Sequence, residues 1–120
     1  MTEPHRDAMA DSAIDHAVLL RRFEGDRDLL REVIGLFLAD YPTRLSAVHA
    51  AVEQRDGPGL FRAAHSIKGS VANFDATVAF EAALRLEQMG RANDFVHSRE
   101  ACAALEREIR RLTDALAPLR

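Results

Sequence analysis

Between Leu29 and Val52 a stripe of apolar residues recurs at Leu29, Leu30, Val33, Ile34, Phe37, Leu38, Tyr41, Leu45, Val48 and Val52. Steps of three and four held for about seven turns leave one apolar face on an α-helix, whereas a strand would need alternation in twos. Asp26 stands in front of the run as its expected N-cap. Pro42 interrupts the stripe without shifting its phase, so one long kinked helix is expected rather than two helices meeting at Tyr41.

The same period recurs on both sides of this segment. A short helix is expected from Ile14 to about Phe23, stopped by Gly25. Asp56-Gly57-Pro58-Gly59 reads as a turn, followed by a helix with Leu60, Ala64, Ile67, Val71 and Phe74 on one face. Asp75 is placed to cap a further helix carrying Val78, Ala82, Leu86 and Met89, which Gly90 should end. A last helix, from Asn93 or Asp94, carries Cys102, Leu105, Ile109, Leu112 and Leu116 before Pro118. Nothing reads as a strand. Long helices joined by short turns predict an all-α antiparallel four-helix bundle, up-down-up-down, with the short first helix over one end. Residues 1–12 have no apolar period and read as a disordered tail, leaving 13–118 as one domain.

Composition narrows the function classes. The 120 residues carry 16 basic and 19 acidic side chains, a formal net charge of −3, which disfavours a sequence-independent nucleic-acid binder. With a single cysteine, Cys102, no internal disulfide can form, and a reducing, cytoplasmic setting is expected. No apolar run approaches the roughly 18 residues of a membrane span. A monomer is expected, since each helix shows one apolar stripe and no second seam.

Among the five histidines, His5 lies in the tail, and His16, His49 and His97 read as surface or boundary residues. His65 stands apart. On a helical wheel it points away from Leu60, Ala64, Ile67 and Val71, and within about 60° of it lie Phe61, Arg62, Lys68, Gly69 and Ala72. Gly69 inside a helix costs about 1 kcal/mol relative to alanine, so an open surface beside the imidazole would be its compensation. Lys68 is the only lysine of the chain, and its ammonium can reach an anionic group carried on the ring. The pattern suits a nucleophilic histidine that holds a phosphoryl group. It is met equally by an exposed histidine beside an exposed lysine with a tolerated glycine.

The run Ala64-His65-Ser66-Ile67-Lys68-Gly69-Ser70, continuing through Asn73-Phe74-Asp75-Ala76 to Leu86-Glu87, resembles the signature of histidine-containing phosphotransfer (HPt) domains of two-component phosphorelays. The helical layout from Ile14 to Leu116 matches as well. The resemblance implies that His65 is the phosphoryl acceptor and donor, attacking through its distal nitrogen. It implies that Lys68 neutralises the phosphoryl oxygens, Gly69 gives access and Glu87 orients the histidine through its proximal nitrogen. Ser70 would be a small residue allowing close packing, with a supporting hydrogen bond. Phe61 either contacts the partner at the rim of the site or folds back over Tyr41 as core packing; Arg62 and Ala72 would face the partner, with Arg62 and Arg85 as steering charges. Asp75 departs from the pattern, since such domains usually have glycine in that turn.

These features lead to an expected phosphocarrier that is not itself an enzyme. Lys68-Gly69-Ser70 lacks the upstream glycine of a nucleotide-binding phosphate loop, and no acidic cluster at magnesium-binding spacing flanks His65. No intrinsic cofactor is therefore expected. The resemblance implies that magnesium comes with a receiver domain, whose aspartyl phosphate meets His65. A metal-binding bundle would need Glu-x-x-His, His-Glu-x-x-His or Cys-x-x-Cys, none of which occurs. The rival readings are a docking or inhibitory bundle that has kept the fold alone, and a domain phosphorylated directly by a histidine kinase.

Overall fold

The computed structural model describes residues 14–120, so the expected tail lies outside the described residues. Its longest element, α2 (Arg27–Gln54), begins at Asp26, whose carboxylate accepts from the Leu29 amide. The helix runs unbroken through Pro42 and buries Leu30, Ile34 and Phe37 before the proline and Val48, Ala51 and Val52 after it. An apolar face that keeps its phase across Pro42 packs on both sides of it, and that burial outweighs one lost backbone hydrogen bond. Leu29, by contrast, lies at the edge of the stripe and is 44% exposed.

Around α2 stand α1 (His16–Arg22), α3 (Gly57–Ala72), α4 (Thr77–Ala92) and α5 (Ser98–Leu116), followed by a single 3₁₀ turn, Ala117–Leu119, that contains Pro118. Successive long helices pack on one another and α5 returns to α2, closing a ring of four antiparallel helices. Phe74, Ile34, Leu60, Ile67, Leu86, Leu105, Ile109, Leu112 and Leu116 fill its axis. Helix α1 closes the end where α2 starts and α3 and α5 finish. Its Leu19 is buried, Arg22 donates to the Ala72 carbonyl at 3.0 Å, and His16 Nε2 donates to the Ala115 carbonyl at 3.2 Å.

Several junctions differ from what the sequence leads one to expect. Gly57, Pro58 and Gly59 form the first turn of α3 rather than the loop before it, with Pro58 where a missing amide proton costs nothing. The reversal is made instead by Arg55, which takes a left-handed conformation (φ 52°), and by Asp56, which caps Gly59. Asp75 caps nothing; it too is left-handed (φ 56°), and Ala76 takes the N-cap position without a side-chain bond. A glycine would take this left-handed conformation without strain, and Asp is among the few other residues that tolerate it.

Helix α4 keeps Leu86 buried and Ala82 and Met89 packed against the core, as expected, but is rotated so that its inward face centres elsewhere. Ala79, Ala83, Leu86, Glu87 and Gly90 are buried, whereas Val78 is 56% exposed. Small residues at the seam let α4 approach α3 closely, and that approach rather than side-chain size sets the rotation of the helix. Gly90 therefore lies inside α4, which ends two residues later with Asn93 in the left-handed conformation. The chain then crosses to α5 through Asp94, which accepts from the Val96 amide, and the helix starts only at Ser98.

Candidate functional site

Helix α3 buries Leu60, Ala63, Ala64, Ile67 and Val71 and turns its opposite face outward, as the wheel requires. His65 stands on that face with 62% of its side chain exposed. A Cβ built on Gly69 would meet nothing within 4 Å, so no contact among the described residues demands a glycine there. What Gly69 provides is open space on one flank of the imidazole.

The other flank is occupied by α4. Glu87 is buried, with 8% of its side chain accessible, and its two oxygens serve different partners. Oε2 accepts from His65 Nδ1 at 3.4 Å, and Oε1 forms an ion pair with Lys68 Nζ at 2.7 Å. Burial pushes the Glu87 carboxyl up, but the hydrogen bonds and positive charges of Lys68 and His65 outweigh it and hold the group below its ordinary value. A carboxylate accepts and cannot donate, so the contact selects the neutral tautomer in which Nδ1 carries the ring proton and Nε2 holds the lone pair. Lys68 is only 18% exposed, and its ammonium also lies 5.6 Å from the centre of the Phe80 ring. In the free chain it is thus directed to Glu87 rather than standing clear in solvent.

The expected neighbours of His65 separate into groups. Phe61 stacks on the imidazole, with centroids 5.8 Å apart and planes 15° from parallel, while Tyr41 stacks on Phe37 instead. Arg62 is exposed at the rim, between a cleft toward α2 and one toward α4. Arg85 is exposed on α4. Ala72 is half-buried and its carbonyl receives Arg22. Ser70 Oγ donates to the Ser66 carbonyl one turn back, a bond within α3.

Three participants escaped the sequence reading. Phe80 flanks Lys68, Arg44 from α2 donates to Ser66 Oγ beside His65, and the Arg91 guanidinium lies 5.0 Å from the Phe61 ring centre. Each reaches the site from another helix, and only Gly90, spaced as a helix terminator would be, gave a local sign of the crossing that brings Arg91 in. The remaining described histidines are exposed. His97 pairs with Glu100, and His49 lies between Glu106 and the buried Cys102, neighbours that its own segment does not reveal. His5 lies outside the described residues.

Among the described residues, no three His, Cys, Asp or Glu side chains group closely enough to hold a metal ion. No described helix is long and apolar enough to cross a membrane.

A four-helix bundle with a solvent-open imidazole that is backed by a buried carboxylate and has a lysine one turn on has the build of a histidine phosphotransfer module. The Hpt domain family model matches residues 32–115, and the chain belongs to that family. Hpt domains are phosphocarriers rather than enzymes and work with receiver domains in two-component systems. Comparison with curated proteins and with solved structures found no match.

Proposed function

We propose that this chain accepts a phosphoryl group on His65 Nε2 from the aspartyl phosphate of one receiver domain and passes it to the aspartate of another. The observation that carries the reading is the Glu87 to His65 Nδ1 contact on an imidazole that is 62% exposed. With Nδ1 protonated, the Nε2 lone pair attacks phosphorus. The P–N bond forms as the acyl-phosphate P–O bond breaks, and the receiver's carboxylate leaves with its electron pair. No proton has to leave Nε2. The ring gains positive character as the bond forms, and the Glu87 carboxylate lies where that charge appears. In the onward step the second receiver's carboxylate attacks phosphorus and the P–N electron pair returns to Nε2.

Lys68 answers the phosphoryl oxygens by turning its ammonium from Glu87 toward them, a short excursion for a flexible stem. Gly69 leaves the approach clear, and Phe61, Arg62 and Ala72 lie within the partner's footprint. Magnesium belongs to the receiver's site and supplies charge neutralisation there. The bundle contributes position. The chain acts as a monomer, and the arrangement of His65, Lys68 and Glu87 favours this role over a docking bundle that keeps only the fold.

The test is transfer of labelled phosphoryl from a charged receiver domain with magnesium, comparing the unaltered chain with His65→Gln. Acid-labile, alkali-stable label on the unaltered chain alone is expected. Label on His65→Gln, or none on either from several receivers, overturns the reading; label gained only from a histidine kinase with ATP would make direct phosphorylation the role.

A further inference from the structure

One hydrogen bond does not fix an exposed imidazole. The Glu87 contact is 3.4 Å long and anchors a single atom, so the ring can still pivot about it, and the histidine χ2 torsion is intrinsically broad. A second restraint is present on the side facing the start of α3. Phe61, one turn before His65, lies nearly parallel to the imidazole at 5.8 Å. On the Phe61 ring in turn lies the guanidinium of Arg91, 5.0 Å from its centre.

The backbone is arranged to allow this. A Cβ at Gly90 would fall 2.5 Å from the Phe61 amide nitrogen and 2.8 Å from the Gly57 carbonyl oxygen. A Cβ at Gly57 would fall 2.9 Å from the Gly90 carbonyl oxygen. The two glycines thus let the backbones of α3 and α4 touch at the level of Phe61, and the residue after Gly90 reaches across onto the Phe61 ring. The ion pairs among the described residues do not include Arg91.

We propose that Arg91 is a positioning residue for His65, holding Phe61 against the imidazole so that Nε2 addresses the phosphoryl group in one direction. Glu87 fixes the ring by its edge and Phe61 by its face. Arg91 acts through Phe61 and does not touch the reacting atoms. The inference rests on His65 being the phosphoryl acceptor, but the ring geometry can be measured without any transfer.

The test uses the full chain with Arg91→Gln, Phe61→Leu and the double substitution, each checked for helicity and melting. The first readout is the NMR shift of the two carbon-bound His65 ring protons, which sense the ring current of a stacked Phe61. Arg91→Gln is expected to move both shifts toward the values seen in Phe61→Leu. The second is the rate of phosphoryl uptake from a charged receiver, expected to fall about two- to fivefold in Arg91→Gln. That loss should persist at about 1 M salt, where the Debye length is about 3 Å, and adding Arg91→Gln to Phe61→Leu should cost nothing further.

Unchanged His65 shifts in Arg91→Gln overturn the proposal even if Phe61→Leu does not fold. A rate loss that disappears at high salt, or that adds in full to that of Phe61→Leu, also overturns it and makes Arg91 a steering charge. Absence of label on His65 of the unaltered chain would instead defeat the phosphocarrier reading and leave the shift measurement to judge the clamp.

Discussion

Lys68 Nζ lies 2.7 Å from Glu87 Oε1, so the chain's single lysine is committed to the carboxylate that also holds the candidate histidine. The pair lies mostly out of water, where the loss of one partner leaves the other without compensation. Lys68→Ala is therefore expected to lower stability by about 1–3 kcal/mol, besides slowing transfer. Urea unfolding of the two proteins at neutral pH measures it, and equal midpoints would show that the ion pair adds nothing to the fold.

The Glu87 carboxyl is held below its ordinary value of 4.5, which fixes the sign of a pH effect. A carboxyl whose folded pKa is depressed contributes stability that is complete above the unfolded value and is lost as pH falls through the folded one. The Glu87 contribution should thus be intact above pH 4.5 and decline below it. Glu87→Gln removes this acid-sensitive part, and its unfolding midpoint should fall less than that of the unaltered chain between about pH 5 and about pH 3. Parallel curves over that range would refute the assignment.

Two helical glycines are expected to respond in opposite ways. At Gly69 a Cβ meets nothing within 4 Å, so Gly69→Ala should raise stability by about 1 kcal/mol, and Gly69→Leu should keep the fold but slow transfer by crowding the imidazole. At Gly90 a Cβ would lie 2.5 Å from a backbone nitrogen, so Gly90→Ala should cost about 1–3 kcal/mol despite alanine's better helix propensity. Thermal melts of the two alanine variants test the pair, and shifts of the same sign would contradict it.

Cys102 is buried between α2 and α5, and burial, followed by the charges of Glu106 and Glu53, pushes its thiol up to about 11. Little thiolate exists at neutral pH, so alkylation of the folded chain should be slow and should accelerate on unfolding. Labelling with a maleimide across a urea series checks this. Rapid modification in the absence of urea would show that the α2–α5 seam opens readily.

Much of the fold is legible in local patterns. The stripes of α2, α3 and α5 each name residues that are buried, from Ile34 and Phe37 to Leu60, Ile67, Leu105 and Leu112. The junctions were less legible, because turn chemistry and first-turn chemistry share residues. Gly57-Pro58-Gly59 serves as well in the opening turn of a helix as in a loop. In α4 the apolar residues Val78, Ala82, Leu86 and Met89 outline one face, but the buried face is rotated toward the smaller Ala79, Ala83 and Gly90, which leaves Val78 exposed and Ala82 and Met89 only partly covered. Hydrophobicity ranks side chains by size, whereas a close helix crossing selects for the lack of it.

The sequence by itself determined that the chain is helical, that His65 faces out of the core and that Lys68 and Gly69 share its surface. These are angles about one helix axis, and periodicity supplies them without reference to any other segment. Only the tertiary structure decided that Glu87 divides its oxygens between His65 and Lys68, that Gly90 is a crossing point rather than a stop, and that Arg91 lies over Phe61. Those relationships depend on the distance and relative rotation of α3 and α4, which are set by contacts between residues far apart in the chain and leave no period in either helix alone.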